Sequence, residues 1–429
     1  MQRSQWYSHI CRKGIVPILL LIACCLAPLG YAAEPIDVAS TNDIAYEELK
    51  VFAEVLMHIK RQYIKEKSYK EIIQGGLHGL LQSLDPHSDF LDTESYRAMQ
   101  EDTAGKFSGI GINIGLRDGF ITIIAPIEDT PAFRAGLLAG DAIVEIDARK
   151  TQGMALPDVV RLLRGAKGEK VSLGVRREGE DTILKFEIIR DDIEVPSVKG
   201  GRIIRKGIGY VRITQFAVPT ADSLQKALDK LKADGMQALV LDLRNNHGGL
   251  LKSAIDVSEK LLKKDDLIVT TRGRPGVHDE VQGKAAGDVH IVDIPMAVLV
   301  NGGSASASEI VAGAFQDHRR AILVGEKTYG KASVQSLMSL KADDKLAIRL
   351  TIAQYFTPKG RQIHEKGIDP DIVVEASPKD WQSLRMRRAH IENPELFTEA
   401  EKKKYEHVVD AQLDRAVDVL EGVKILQGK

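Results

Sequence analysis

Residues 298–310 read Val298-Leu299-Val300-Asn301-Gly302-Gly303-Ser304-Ala305-Ser306-Ala307-Ser308-Glu309-Ile310, an apolar strand that ends in glycines and opens a helix with three serines. A strand-to-helix turn of this kind lifts a hydroxyl into the open at a helix amino terminus. There the unpaired backbone N–H groups and the helix dipole favour the negative oxygen that forms during acyl transfer. The same residues also suit a plain structural role, because serine and glycine cap helices and let them pack closely on a sheet.

A serine hydroxyl is a poor nucleophile until a neighbouring base takes its proton. His318 lies twelve residues beyond Ser306, roughly 18 Å along a continuing helix, and cannot touch it. His247, in Asn245-Asn246-His247-Gly248-Gly249, sits at another strand end and stays open on geometry. Lys331 is the better candidate, since a fresh strand and the Tyr329-Gly330 turn separate it from the serine helix and let the chain return. If residues 331–335 are extended, Lys331, Ser333 and Gln335 share one face, with Gln335 placed to hold the lysine amine while Ala332 and Val334 pack inward. To act as a base, lysine must lose its proton well below its ordinary pKa of about 10.4, which desolvation favours. A single lysine is otherwise a solvated surface charge.

Outward from this run, residues 191–375 alternate strands (209–216, 238–243, 296–300, 321–324) with helices (221–233, 250–263, 306–315) and end in a long hairpin through Asp343-Asp344. That order predicts an α/β core with largely parallel strands. Residues 105–190 are glycine-rich with short alternating apolar runs, and predict a small β-rich module interrupted by helices at 132–138 and 157–163. Residues 34–104 carry apolar side chains at helical spacing, as in Phe52, Val55, Leu56, Ile59 and Tyr63. Within them Ser83-Leu84-Asp85-Pro86-His87-Ser88 reads as a helix connector. In residues 376–429 a helix is predicted over 398–426, opened by the capping box Thr398-x-x-Glu401 and carrying Leu413, Val417 and Leu420 on one side. Apolar faces at both ends of the chain suit mutual packing or a second subunit.

Residues 1–33 differ in kind: Arg3, Arg12 and Lys13 precede an apolar run over 15–29 and small residues at Gly30, Ala32 and Ala33. That order reads as a secretory leader cleaved near Ala32 or Ala33. Leu21-Ile22-Ala23-Cys24 also suits a lipoprotein signal with Cys24 as the lipid-bearing residue, and an uncleaved run would serve as an anchor. All three cysteines (11, 24, 25) lie there, so the exported chain has no thiol nucleophile or zinc thiolate. Lys plus Arg number 59 against 60 Asp plus Glu, giving no field to draw nucleic acid. None of the eleven histidines sits in an HExxH pattern and no GxxxxGK[ST] loop occurs, so no cofactor is expected.

The 301–309 run, Gly330-Lys331 and Gln335, taken with residues 83–88, Gly109-Ile110-Gly111-Ile112, Leu241-Asp242-Leu243-Arg244-Asn245-Asn246 and Tyr355-Phe356-Thr357-Pro358-Lys359-Gly360-Arg361, resemble the carboxyl-terminal processing (tail-specific) peptidases over nearly the whole exported chain. The resemblance implies a ClpP/crotonase-like α/β protease core with an inserted PDZ domain at 105–190 and helical segments at both ends. It implies Ser306 as nucleophile, Lys331 as general base and Gln335 as the residue that orients the lysine. Backbone N–H groups of Ala307 and of Gly248 or Gly249 would form the oxyanion hole, and Gly109, Ile110, Gly111 and Ile112 would receive a substrate's terminal carboxylate. Arg164 and Lys167 read as a solvated helix end or, for Arg164, as a regulatory contact to the core. Two departures stand out: Ala332 replaces a frequent second glycine, and His247 a common proline. The function implied is endoproteolysis of exported proteins near their carboxyl termini, in the periplasm or at the outer face of the inner membrane. Partners would be proteins with exposed tails, an adaptor or regulator, and a second copy in a homo-oligomer such as a dimer. A non-catalytic tail-binding scaffold of the same fold is the rival reading, and a Ser/His/Asp hydrolase using His247 a third.

Overall fold

The central sheet of the catalytic half runs in the order Val198–Arg205, Ile208–Ile213, Ala238–Asp242, Met296–Val300, Ile322–Gly325, Ile372–Val373. Its first pair is antiparallel and the rest are parallel. Strands Ala238–Asp242 and Met296–Val300 are buried throughout, as continuous apolar runs covered on both faces must be. Alternate residues divide the faces. Leu239, Leu241, Val298 and Val300 pack under helices Thr220–Ala233, Leu251–Glu259 and Ala307–Asp317. Val240, Ala297 and Leu299 face Ala416, Val417 and Leu420 of helix Ala411–Leu426.

The structure, a computed structural model, describes residues 38–117, 119–127, 130–138, 140–287, 294–392 and 398–427. Residues 1–33, read above as a leader, and Cys24 among them, lie outside the described residues. The chain to Ile73, containing helix Val38–Gln62, forms one unit and Gln74–Lys429 the other. Phe52, Val55 and Ile59 of that helix, and Tyr63 just beyond it, are exposed.

A second sheet is built on the hairpin Ser333–Leu340/Asp343–Phe356, joined by Leu267–Gly273, Val281–Lys284 and the short strand Asp89–Leu91. Asp89, Phe90 and Leu91 pair with Arg349, Ile348 and Ala347. The 83–88 turn is thereby delivered to the hairpin, and Phe90 is buried. The predicted β-rich module forms its own sheet of Ile112–Arg117, Phe120–Pro126, Ala142–Ile146, Lys170–Arg176 and Leu184–Ile189 around a separate apolar core. Strands Lys106–Gly109 and Asp191–Glu194 pair where the chain enters and leaves it.

The carboxyl-terminal reading needs correction. Residues 398–426 are two helices, Glu399–Glu406 and Ala411–Leu426, and the one carrying Leu413, Val417 and Leu420 begins behind Asp410, whose side chain accepts the Leu413 N–H at 3.1 Å. Asp410 is held there by a second demand. Its carboxylate takes Arg244 Nη1 at 2.7 Å and Nη2 at 2.8 Å, while Asp242 takes Arg244 Nε at 3.0 Å and Nη2 at 2.7 Å. Tyr210 donates to Asp242 at 2.8 Å, and Arg388 lies 3.2 Å from Asp242. Burial would push both carboxyls up, but the Arg244 charge holds them below the usual carboxylate range. Removing one partner of such a set strands a buried charge. Asp410→Ala should therefore cost about 3–5 kcal/mol in urea unfolding, and an unchanged midpoint would show that the cluster does not fasten the final helix.

Candidate active site

The three serines of the opening run have separate tasks. Ser304 Oγ donates to the Leu243 carbonyl and Ser308 Oγ to that of Asn246, both at 2.8 Å, stitching the turn to the end of the neighbouring strand. Asn301 Oδ1 accepts the N–H of Asn245 at 2.9 Å and of Gly303 at 3.1 Å. Ser306 stands at the helix N-cap with φ 56° and ψ −115°, and its side chain makes no cap bond. A non-glycine residue in that region is strained and must be held by its surroundings.

Glu309 supplies much of that hold. Its buried carboxylate accepts the Ser306 N–H at 2.8 Å and the Lys331 N–H at 2.9 Å on Oε2. Oε1 accepts Thr328 Oγ1 at 2.6 Å and the Gly330 N–H at 2.7 Å. Burial raises its pKa, and the four donors oppose the rise. The Tyr355 hydroxyl lies 2.9 Å from the Ser306 carbonyl and 2.5 Å from that of Lys331, donating its one proton to either. The serine turn and the lysine turn are thus clasped by their backbones.

Lys331 is half-buried. Burial lowers its pKa, Arg349 lowers it further, and Asp85 opposes both. Its amine and the Ser306 hydroxyl do not hydrogen-bond each other here, and the Gln335 amide nitrogen donates instead to Thr351 Oγ1 at 3.2 Å. A register shift between Val334 and Gln335 sets Gln335 opposite Thr351, as a bulge re-aims a side chain. His247 is exposed. His318 caps the far end of the serine helix, its Nε2 2.7 Å from the Leu267 carbonyl.

Of the residues expected to bind an oxyanion, Gly248 has φ 103°, and a Cβ there would meet Ser306 Cβ at 2.8 Å. Only glycine lets this loop come so close. The Gly248 N–H donates to Asn246 Oδ1 at 2.9 Å. The N–H groups of Ala307 and Gly249 have no hydrogen-bond acceptor among the described residues.

The profile of peptidase family S41 matches residues 207–374 and that of the PDZ domain residues 122–177. A carboxy-terminal-processing protease of Bartonella bacilliformis is 42% identical over 335 residues, 77% of this chain and 76% of its own. The chain belongs to peptidase family S41. The carboxy-terminal processing protease CtpA of Bacillus subtilis is 35% identical over 79% of this chain and 70% of its own. A solved S41 protease from Bacteroides fragilis shares the fold, with TM-score 0.50 and 15% identity over 86% of this chain and 97% of its own. This S41 chain is accordingly a serine-type peptidase that carries a PDZ domain, and its fold is mixed α/β.

In the PDZ domain of this S41 peptidase, strand Ile112–Arg117 is an edge of its sheet. A cavity of about 200 Å³ lies between it and helix Leu156–Leu163, lined by Gly109, Ile110, Gly111, Ile112, Val160 and Leu163. Arg164 stands at its rim, 3.1 Å from Glu101 and 5.1 Å from the Phe107 ring centre. Lys167 pairs with Asp191 at 2.7 Å.

Glu309 and Tyr355 escaped the sequence reading. Glu309 had a visible signal, because Ser306-x-x-Glu309 is itself a capping-box spacing; Tyr355 lies in the 355–361 run that carries the family resemblance, but no local spacing announces its contacts with the Ser306 and Lys331 carbonyls. Glu309→Gln presents an NH₂ to backbone donors in place of an acceptor. The variant should lose activity at least about tenfold and cost about 1–3 kcal/mol of stability, measured by peptide hydrolysis and thermal unfolding. Wild-type values in both would remove the clasp.

Proposed function

We propose that this S41 peptidase is an endopeptidase of exported proteins that works through a Ser306/Lys331 dyad and cuts near substrate carboxyl termini. One observation carries the dyad: a single buried carboxylate receives the backbone N–H of both residues. In the cycle, the Ser306 hydroxyl gives its proton to the neutral Lys331 amine as Oγ bonds to the scissile carbonyl carbon. The oxyanion is met by the Ala307 and Gly249 N–H groups. The Lys331 ammonium returns the proton to the leaving amine as the C–N bond breaks, leaving an acyl ester. Water attacks that ester, passing a proton to Lys331, and the Lys331 ammonium returns it to Ser306 Oγ as the C–Oγ bond breaks and the acid departs. Lowered lysine basicity from burial and Arg349 supports the role of base.

We assign Gln335 as the orienter of the lysine, and the 105–190 module as the device that holds the tail. Substrate pairs with the edge strand Ile112–Arg117 while its carboxylate meets the Ile110 and Gly111 N–H groups. Both groups lack an acceptor among the described residues. Arg164, bonded to Glu101 outside the PDZ domain, is the regulatory contact in this reading. The parallel core at 191–375 fits a ClpP/crotonase-like architecture flanked by the helical segments 34–104 and 376–429. The basic-then-apolar order of residues 1–33 supports export to the periplasm or, with an anchor or a lipid on Cys24, to the outer face of the inner membrane. The exposed apolar side chains of Val38–Gln62 suit a second copy in a dimer or an adaptor protein.

Ser306→Ala should fold and lose both casein cleavage and covalent labelling by a phosphonylating probe; retained labelling elsewhere with retained cleavage would end the dyad reading. The free amine is the active form, so kcat/KM should rise with pH along a limb below the ordinary lysine value of about 10.4. Lys331→Arg, protonated at all accessible pH, should be inactive across that range. For the groove, Val160→Asp should raise KM for a tailed protein about tenfold while leaving hydrolysis of a small activated ester unchanged; equal KM values would dissociate the PDZ domain from tail capture.

A further inference from the structure

The turn at 83–88 reverses the chain, yet its side chains do more than a connector requires. Asp85 Oδ1 accepts the His87 N–H at 2.8 Å, the Ser88 N–H at 2.9 Å and Thr351 Oγ1 at 3.2 Å. Oδ2 accepts Ser88 Oγ at 2.7 Å, and Ser88 Oγ in turn accepts the Thr351 N–H at 3.1 Å. Arg349 Nε donates to the His87 carbonyl at 2.9 Å. The turn is laced to the long hairpin strand at Arg349 and Thr351, directly across from Gln335.

The resulting chain has a direction. Burial pushes the Asp85 carboxyl up, but bonds from Ser88, His87 and Thr351 hold it below its ordinary value, so it is ionised and only accepts. A hydroxyl has one proton, and the Thr351 proton goes to Asp85. Thr351 Oγ1 must then receive from its other neighbour, and Gln335 meets it with the NH₂ end at 3.2 Å. The Gln335 carbonyl oxygen is left at the opposite end of the amide. A carbonyl there accepts an N–H from a neutral lysine and leaves the amine lone pair for the serine proton. An NH₂ there would donate into that lone pair and occupy the base.

We propose that Asp85 is a positioning residue of the peptidase: acting through Thr351, it fixes the Gln335 amide with its carbonyl oxygen toward the Lys331 amine. This rests on the Ser306/Lys331 reading and extends it to a turn that belongs to neither the parallel core nor the PDZ domain. The charged and titratable groups around Lys331 are Arg349 on the hairpin strand and Asp85 and His87 on the turn. With them stand His364, whose Nδ1 accepts the Ala332 N–H at 3.4 Å, Glu309 beneath the lysine backbone, and Tyr355, whose hydroxyl lies 2.5 Å from the Lys331 carbonyl.

The test uses the full chain, a fluorogenic peptide substrate and the variants Thr351→Val, Thr351→Ser and Asp85→Asn, with Ser306→Ala and Lys331→Ala alongside. Thr351→Val should lower kcat at least tenfold with KM within twofold and an unchanged melting temperature, and Thr351→Ser should restore wild-type kcat. Asp85→Asn should lower kcat similarly and move the acidic limb of the pH profile to lower pH, because it deletes the negative charge that favours the lysine ammonium. Thr351→Val should leave that limb in place. Wild-type kcat in Thr351→Val, or a Thr351→Ser enzyme as slow as the valine variant, would overturn the relay while loss of activity in Lys331→Ala leaves the dyad standing. Full activity in Lys331→Ala would instead remove the dyad and the relay with it. Should Asp85→Asn fail to fold, the valine and serine pair decides alone.

Discussion

The site depends on one buried carboxylate that two separate chain segments need at once. Glu309 lies one turn into the serine helix, and its two oxygens accept four donors, two of them the backbone N–H groups of Ser306 and Lys331. A carboxylate suits this task because it offers several lone pairs and no proton to obstruct them. Burial makes its charge costly and its bonds strong in the same stroke. A strained Ser306 backbone is tolerated because its N–H and carbonyl are both fastened, and the lysine turn cannot drift without leaving donors unpaired. Preorganisation of this kind is what acyl transfer rewards, since groups fixed beforehand need no reorganisation during reaction.

Behind the clasp, the Asp242–Arg244–Asp410 cluster does comparable work for the opposite wall. Asp242 ends a central strand, and the chain continues through Arg244 into the loop that brings Gly248 against Ser306. Arg244 is fully enclosed and bonded to a helix cap more than 160 residues away in sequence. Helix Ala411–Leu426 therefore supports the loop facing Ser306. The electrostatic setting of Lys331 is similarly composed from distant parts, with Arg349 on the hairpin and Asp85 on the amino-terminal turn acting in opposite directions.

Much of this was legible in the residues. Parallel strands were readable because runs such as Met296–Val300 are apolar at every position, which only burial on both faces permits. Ser306 and Lys331 were raised as candidates by the turns around them, and the resemblance to a peptidase family, not spacing, gave them their roles. The final helix was misplaced because Thr398-x-x-Glu401 is a valid start signal for the short helix Glu399–Glu406, while the break at Asp410 answers to Arg244, which no local pattern announces. Strand Leu267–Gly273 was overlooked although its β-branched run favours a strand, since its partners lie far along the chain.

By itself, the sequence determined the periodic elements, the serine turn and the capping spacing that brings Glu309 under Ser306, because these are interactions between residues a few positions apart. Tertiary structure alone decided that Glu309 also takes the Lys331 N–H, that Asp85 reaches Thr351 and that Gln335 faces Thr351 across the hairpin. Each of those contacts is set by strand register and by the matching of a buried acceptor to whatever donors the fold delivers. Register and delivery are properties of the packed chain, and no spacing along it encodes them.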